Sequence, residues 1–278
     1  MQSESDSTGI SVYWQPGCTS CLRTKEFLTR HGVPFRSRNV LEDETALADL
    51  AKLGLRQVPI VTRGEQWADG QVLGDVARLV GIQLGGPRML PVDELRRRLQ
   101  LILAAAGRHL AQVPENELGT QLPNRPRSYA ALAFHIFNIA DAFLEHEAGQ
   151  PLVFDAYNRV PGPDMASRAA LLAYGQDVSA RLEAWFEGPG RSRDWNAPAQ
   201  VYYGRQTMHE FLERTTWHAG QHLRQLMWVL ERLGIAPEAP LGPEVWQGLP
   251  MPAGVWDGEA LTERPAGAAD QVAASSSS

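Results

Sequence analysis

The sequence predicts two folded units in series, an α/β domain and then an all-α four-helix bundle, closed by a Pro-rich C-terminal strap. Three observations carry that expectation. The N-terminal part alternates β-branched and aromatic runs with helical stretches separated by Gly and Pro. Beyond about residue 92, apolar residues recur at the helical period through four long stretches. The length of 278 residues also exceeds what one ordinary domain of about 150 residues fills.

Apolar residues make up 44% and charged residues 21%, values of an ordinary folded protein rather than a disordered or fibrous one. The formal net charge of −6 gives no general attraction to nucleic-acid backbones or anionic lipid, so neither is expected as a partner. No apolar run approaches the roughly 20 residues of a membrane helix. The opening MQSESDSTGI is polar and acidic where a secretory signal is basic and then apolar, and a cytoplasmic location is expected.

Residues 1–9 are expected to be disordered, and the first domain to span 10–82. Ile10 to Trp14 (ISVYW) reads as a strand, Gln15-Pro16-Gly17 as a turn, and Leu22 onward as a helix that Gly32 stops. Cys18 thus falls at a helix N-terminus, where backbone N–H groups and the macrodipole favour a thiolate. Cys18 is expected to attack, and Cys21, one turn further in, to resolve. They are the only two cysteines, too few for a zinc ribbon. A disulfide across so short a loop constrains little chain entropy, which leaves redox chemistry as their use. A strand near Phe35 to Val40, a helix from about Asp43 to Leu53 and a strand from Val58 to Thr62 follow. Pro59, opening that last strand beside the dithiol, is expected to follow a cis peptide bond that exposes the Val58 backbone to an incoming thiol.

Trp14-Gln15-Pro16-Gly17-Cys18-Thr19-Ser20-Cys21, Val58-Pro59 and the turn and helix from Asp69-Gly70 to Leu79 resemble a glutaredoxin-like member of the thioredoxin superfamily. The resemblance implies a thioredoxin-like fold, thiol–disulfide exchange at Cys18 and Cys21, and thiol binding by Val58, Pro59 and Gly70. Two departures stand out. Thr19-Ser20 replaces the commoner Pro-Tyr between the cysteines, and the turn that holds the carboxylates of glutathione is reduced to Asp69-Gly70-Gln71.

Residues 83–91 read as a Gly/Pro-rich linker, and 92–235 as the bundle. Val92, Leu95, Leu99, Ile102, Leu103, Ala106 and Leu110 share one face of a first helix, with Arg96, Arg97, Arg98 and Arg108 mostly outside it. Ser128 caps a second helix with Leu132, His135, Ile136, Ile139 and Phe143 inward. Asp164 is expected to cap a third, which Gly188-Pro189-Gly190 ends, and the fourth runs from about Arg205 to Leu233.

Three of the seven histidines lie in these apolar stripes. His218 and His222 are four residues apart and point the same way from one helix, and His135 sits at a depth where it can face them. Each alone can be a hydrogen-bonded core residue; together they favour an open three-imidazole metal site. His209 and His146 fall off the stripes and read as surface residues, and His31 and His109 read as structural.

Leu132-Ala133-Phe134-His135-Ile136-Phe137-Asn138 and Trp217-His218-Ala219-Gly220-Gln221-His222-Leu223-Arg224-Gln225 resemble the DinB/YfiT-like bundles over about residues 90–235. The resemblance implies that His135, His218 and His222 hold a divalent metal: zinc first, nickel or iron next. It also implies a small thiol such as glutathione, bacillithiol or mycothiol, and transferase or isomerase chemistry on a small electrophile or thiol adduct. By the same match Asn138 and Gln225, each one turn from a ligand, are candidates to orient the imidazoles. Pairing of two copies through the helices is left open.

Residues 236–264 form the strap, with Trp246 and Trp256 expected to pack on the bundle and cover a wall of its pocket, and 265–278 a disordered tail. The fusion suggests one sulfur chemistry shared by both units: a metal- and thiol-dependent transferase, isomerase or detoxification enzyme with its own reductase module. The alternative is an oxidoreductase whose bundle only docks a partner, senses metal or dimerises.

Overall fold

A computed structural model describes residues 9–86, 89–123 and 125–258. The expectations for the extreme N-terminus, for 265–278 and for the end of the strap lie outside the described residues.

The N-terminal unit runs β1 (Ile10–Trp14), α1 (Thr19–Arg30), β2 (Arg36–Asn39), α2 (Glu44–Lys52), β3 (Ile60–Arg63), β4 (Gln66–Asp69) and α3 (Leu73–Val80). Its sheet has the order β2-β1-β3-β4, with β1 parallel to β2 and the other pairings antiparallel. Alternation along β1 sends Ile10 and Val12 to one face, where Phe27 and Leu28 of α1 and Val76 of α3 cover them. Tyr13 goes to the other face, against Ala46 and Leu50 of α2. This is a thioredoxin-like arrangement.

One boundary and one element differ from expectation. β3 begins at Ile60, because Pro59 has no N–H to give the ladder. The hairpin strand β4 was not foreseen. It pairs with β3 through the two-residue turn Gly64-Glu65, with Gly64 in the left-handed region (φ 60°).

The second unit contains α4 (Val92–Gln112), α5 (Tyr129–Glu147), the single turn α6 (Phe154–Tyr157), α7 (Arg168–Glu187), the short hairpin β5 (Pro198–Ala199) and β6 (Gln206–Thr207), α8 (Met208–Arg232) and the single turn α9 (Pro243–Trp246). α8 packs against α4 and α5, and α7 closes the four-membered ring from the other side. Ser128 caps α5 as expected, its hydroxyl accepting from Ala131 N.

The cap of α7 is Ser167, not Asp164, which lies in the preceding 3-10 turn. α8 begins at Met208 rather than Arg205, because Thr207 and Glu210 close a capping box there. Arg98 is not on the solvated face. It is buried and donates from Nη1 to the carbonyls of Val245 (2.8 Å) and Gln247 (2.5 Å), tying the strap to α4. His146 is also half-buried, held between Glu147 and the amide of Gln200. No helix among the described residues is long and apolar enough to cross a membrane.

Candidate functional site

The turn after β1 delivers Cys18 to the N-cap of α1, where its sulfur accepts from the backbone N of Cys21 at 3.2 Å. The two cysteines are joined in a disulfide. Cys18 is half-buried, whereas Cys21 is 1% exposed, an asymmetry that leaves Cys18 as the sulfur a substrate can reach.

Gly17 is required twice over. Its φ of +67° suits glycine, and a Cβ there would lie 2.9 Å from Arg125 Cδ and 3.1 Å from Trp256 Cζ3. The Val58–Pro59 bond is cis. Val58 lines the cavity beside Cys18, while Pro59 is packed behind it. Gly70 does not reach the cavity either: its N–H donates to Pro59 O, and a Cβ would meet Pro59 Cγ at 2.8 Å.

On the bundle side, α5 supplies His135 and α8 supplies His218 and His222. Their ligand-capable nitrogens lie within 4.8 Å of one another, all three residues being buried. Ring centroids are 5.4 Å apart for His135 and His218, 4.6 Å for His135 and His222, and 5.0 Å for His218 and His222. Nε2 of His222 stands 3.3 Å from Nε2 of His218.

Two imidazole nitrogens on a tetrahedral zinc, each about 2.05 Å from the ion, are separated by about 3.3 Å, so the pair has the spacing a metal requires. The tautomer agrees. Nδ1 of His222 lies 2.8 Å from Oε1 of Gln225, an acceptor, so Nδ1 donates and the Nε2 lone pair faces the cluster. Burial holds all three imidazoles well below their ordinary pKa, with the charges of Arg125 and Arg127 acting in the same direction. Neutral rings whose ligand-capable nitrogens gather within 4.8 Å, with the His222 lone pair held toward the cluster, fit a divalent cation.

Gln225 is in turn fixed, its Nε2 donating to Val255 O at 3.3 Å. Asn138 does not touch a ring nitrogen. It donates to Ala156 O at 2.8 Å and so anchors α6, which carries Tyr157. The buried Tyr157 hydroxyl has no hydrogen-bond partner among the described residues, and the ring lies 5.3 Å from His218. Burial drives its phenol well above the ordinary range, so it stays protonated and able to donate.

The dithiol and the histidines open onto one cavity of about 240 Å³, lined by Cys18 and Val58 from one unit and by His135, His218 and His222 from the other. Arg125, Arg127 and Arg214 line it as well. Burial lowers the Arg125 guanidinium to about 10, and burial together with the Arg125 charge lowers that of Arg127 well below its usual value.

The sequence reading missed these arginines and Tyr157. Arg214 was detectable, because it stands four residues before His218 on the same apolar stripe. Arg125 and Arg127 sit in a Pro-flanked loop whose path only the fold reveals.

The strap locks the two units together. Glu26 of α1 accepts from Ala253 N (2.6 Å) and Gly254 N (2.8 Å), and Lys25 pairs with Asp257 at 2.8 Å. From α8, Arg224 donates to Pro252 O and Ala253 O, and Gln221 to Gly254 O. Trp256 packs on Trp228 and beside Gly17, and Trp246 beside Gly220. Neither tryptophan lines the cavity, contrary to expectation, because the N-terminal unit itself forms that wall.

Comparison with known proteins agrees with both units. The glutaredoxin family profile matches residues 10–67, and that of the DinB superfamily matches residues 94–226. N-acetyl-S-hydroxy-L-cysteine reductase of Bacillus subtilis is 39% identical over 67 residues, which is 23% of this chain and 71% of the reductase. The global transcriptional regulator Spx 2 of Lactococcus lactis is 34% identical over 44 residues. The Spx regulator of Listeria innocua is 27% identical over 44 residues. The chain spans about a third of the length of each of these regulators, 33% and 34%. The chain therefore belongs to the glutaredoxin family through its N-terminal unit, and its C-terminal unit is a domain matching the DinB superfamily.

Proposed function

We propose that the protein is a thiol-dependent metalloenzyme of the transferase, isomerase or detoxification type, in which a dithiol reductase and a metal centre work on one small sulfur compound. The single observation that carries this reading is the shared cavity, which Cys18 and all three imidazoles line together. The B. subtilis relative, by name a reductase of an S-hydroxylated cysteine derivative, supports small-molecule sulfur chemistry at the dithiol.

His135, His218 and His222 would hold a divalent cation, with zinc suited to three neutral nitrogens, and the bound ion supplies Lewis acidity at that end of the chamber. The chain's own residues do the rest. Gln225 keeps the His222 proton on Nδ1, and the Tyr157 hydroxyl offers a proton donor beside His218. In the reduced protein, the Cys18 thiolate attacks one sulfur of a small disulfide RS–SR′. The Cys18–SR bond forms, the S–S bond breaks and R′S⁻ leaves. The Cys21 thiolate then attacks Cys18 Sγ and releases RS⁻, so the substrate gains two electrons and the dithiol becomes the disulfide seen in the structure. Two molecules of a small thiol R″SH restore the dithiol by the reverse exchange: the first opens the disulfide to a Cys18–SR″ adduct, and the second attacks that adduct and leaves as R″S–SR″.

The test measures metal content of the purified protein by mass spectrometry, and thiol-adduct turnover in wild type and His218→Ala with Cys18 intact. Near-stoichiometric metal, with turnover lost in His218→Ala, is expected. Undiminished turnover in a metal-free variant would leave only the reductase with a docking or dimerising bundle.

A further inference from the structure

Arg125, Arg127 and Arg214 bring three guanidinium groups to one small cavity in a chain whose formal net charge is −6. None of the three has a carboxylate within 4.0 Å among the described residues, although ion pairs bind many of the other arginines. Arg214 is 5% exposed. From Nη2 it donates to Gln71 Oε1 and more weakly to Ser20 Oγ (3.5 Å), and it stacks 4.2 Å over the Tyr203 ring, but its Nε and Nη1 find no hydrogen-bond partner among the described residues. Arg125 gives one bond to Pro16 O at 3.2 Å.

Removing cations from water without a counter-charge is costly, and a fold keeps such groups where an anion offsets the cost. The groups are also held in place. Arg214 rides on α8 one turn before His218, and the loop with Arg125 and Arg127 is pinned by Leu122 N to Arg127 O (2.9 Å) and Arg127 N to Arg125 O (2.8 Å).

Resting on the proposed function, we infer that Arg125, Arg127 and Arg214 form the anion-binding end of the chamber and recognise the carboxylates of a small acidic thiol or its disulfide. The planar fork of arginine matches a carboxylate bidentately, which a lysine would not do. The same walls carry Cys18 and the histidines, so an anion held by the arginines presents its own sulfur to both sulfur-seeking centres. A free phosphate would fill the charge requirement but give Cys18 nothing to attack. Such a subsite also replaces the missing carboxylate-binding turn at Asp69-Gly70-Gln71, since Gln71 here accepts from Arg214 and from the Tyr202 hydroxyl.

The test is calorimetric titration of the full-length protein, reduced and desalted under argon, with mercaptosuccinate and with 2-mercaptoethanol, zinc-free and zinc-loaded. Mercaptosuccinate is expected to bind about tenfold or more tightly than 2-mercaptoethanol in both forms, the worth of one charge-assisted carboxylate clamp. The preference should fall below about threefold in Arg127→Gln and be partly kept in Arg127→Lys, which retains charge without the fork. It should also shrink in wild type as salt rises, a readout that needs no variant to fold. Equal affinity for the two thiols in wild type, an unchanged preference in a folded Arg127→Gln, or displacement of mercaptosuccinate by millimolar inorganic phosphate would overturn the assignment. Failure to bind zinc with the preference intact would sink the metalloenzyme reading but not this site. Zinc binding without the preference would do the opposite.

Discussion

Replacing Gln225 by Leu isolates the hydrogen bond that sets the His222 tautomer. The bond is 2.8 Å long, and both partners are 2% exposed, so water cannot substitute for the lost acceptor. A buried donor left unsatisfied costs about 1–3 kcal/mol, and loss of a partner behind a metal-bound imidazole lowers affinity by about 10–100-fold. The two figures agree, because about 1.4 kcal/mol is tenfold. Zinc affinity, read by competition with a chromophoric chelator, should therefore weaken by about one to two orders of magnitude in Gln225→Leu. Gln225→Glu keeps the acceptor and should stay within about tenfold of wild type. Leu is close to Gln in size, so packing changes little. A Gln225→Leu protein that binds zinc within about twofold of wild type would refute the argument that this amide poises the site.

Gly17→Ala should destabilise the protein by about 1–2 kcal/mol from the left-handed backbone alone, with a further loss from the crowding against Arg125 and Trp256; urea unfolding measures it. Glu213 is lifted to about 7, chiefly by burial and secondarily by Glu210, against the opposing charge of Arg23. Its proton binds the folded state more tightly than the unfolded one, so its penalty is absent below about 4.5, grows as pH rises and is complete above about 7. The stability gained by Glu213→Gln should accordingly be larger at pH 8 than at pH 5 in paired urea titrations, about pKa-linked groups elsewhere cancelling in the difference; an equal gain at both would contradict it. Arg98→Met strips the donors from the buried carbonyl of Val245 and the more exposed one of Gln247, costing about 1–3 kcal/mol, and should speed proteolytic cleavage near Val245 while the bundle stays helical.

The sequence revealed what local signals encode. Strand, turn and cap chemistry around Cys18 announce a nucleophile at a helix N-terminus, and the four-residue spacing of His218 and His222 on an apolar stripe puts both rings on one side of α8. The misses share a cause. β4 is four residues of QWAD, with weak strand propensity, and exists because β3 offers it an edge. Ser167 and Asp164 are both good caps, and the choice between them depends on where α7 meets α4 and α5. Arg98 looked solvated because its partners are carbonyls far along the chain in α9 and just beyond it. The convergence of the dithiol, the imidazoles and three arginines on one cavity is a long-range event that no spacing along the chain records.

Residues 252–257 are among the last described, yet they touch α1 near the start of the chain and Gln225 behind the imidazoles. The strap therefore adds to the direct bonds that Arg125, Tyr202 and Arg214 make to the N-terminal unit, and deletion of residues 252–257 should loosen the two halves against each other while each retains its shape. A cut in this one strand of chain would thus slacken the reaction vessel without touching any residue that lines it.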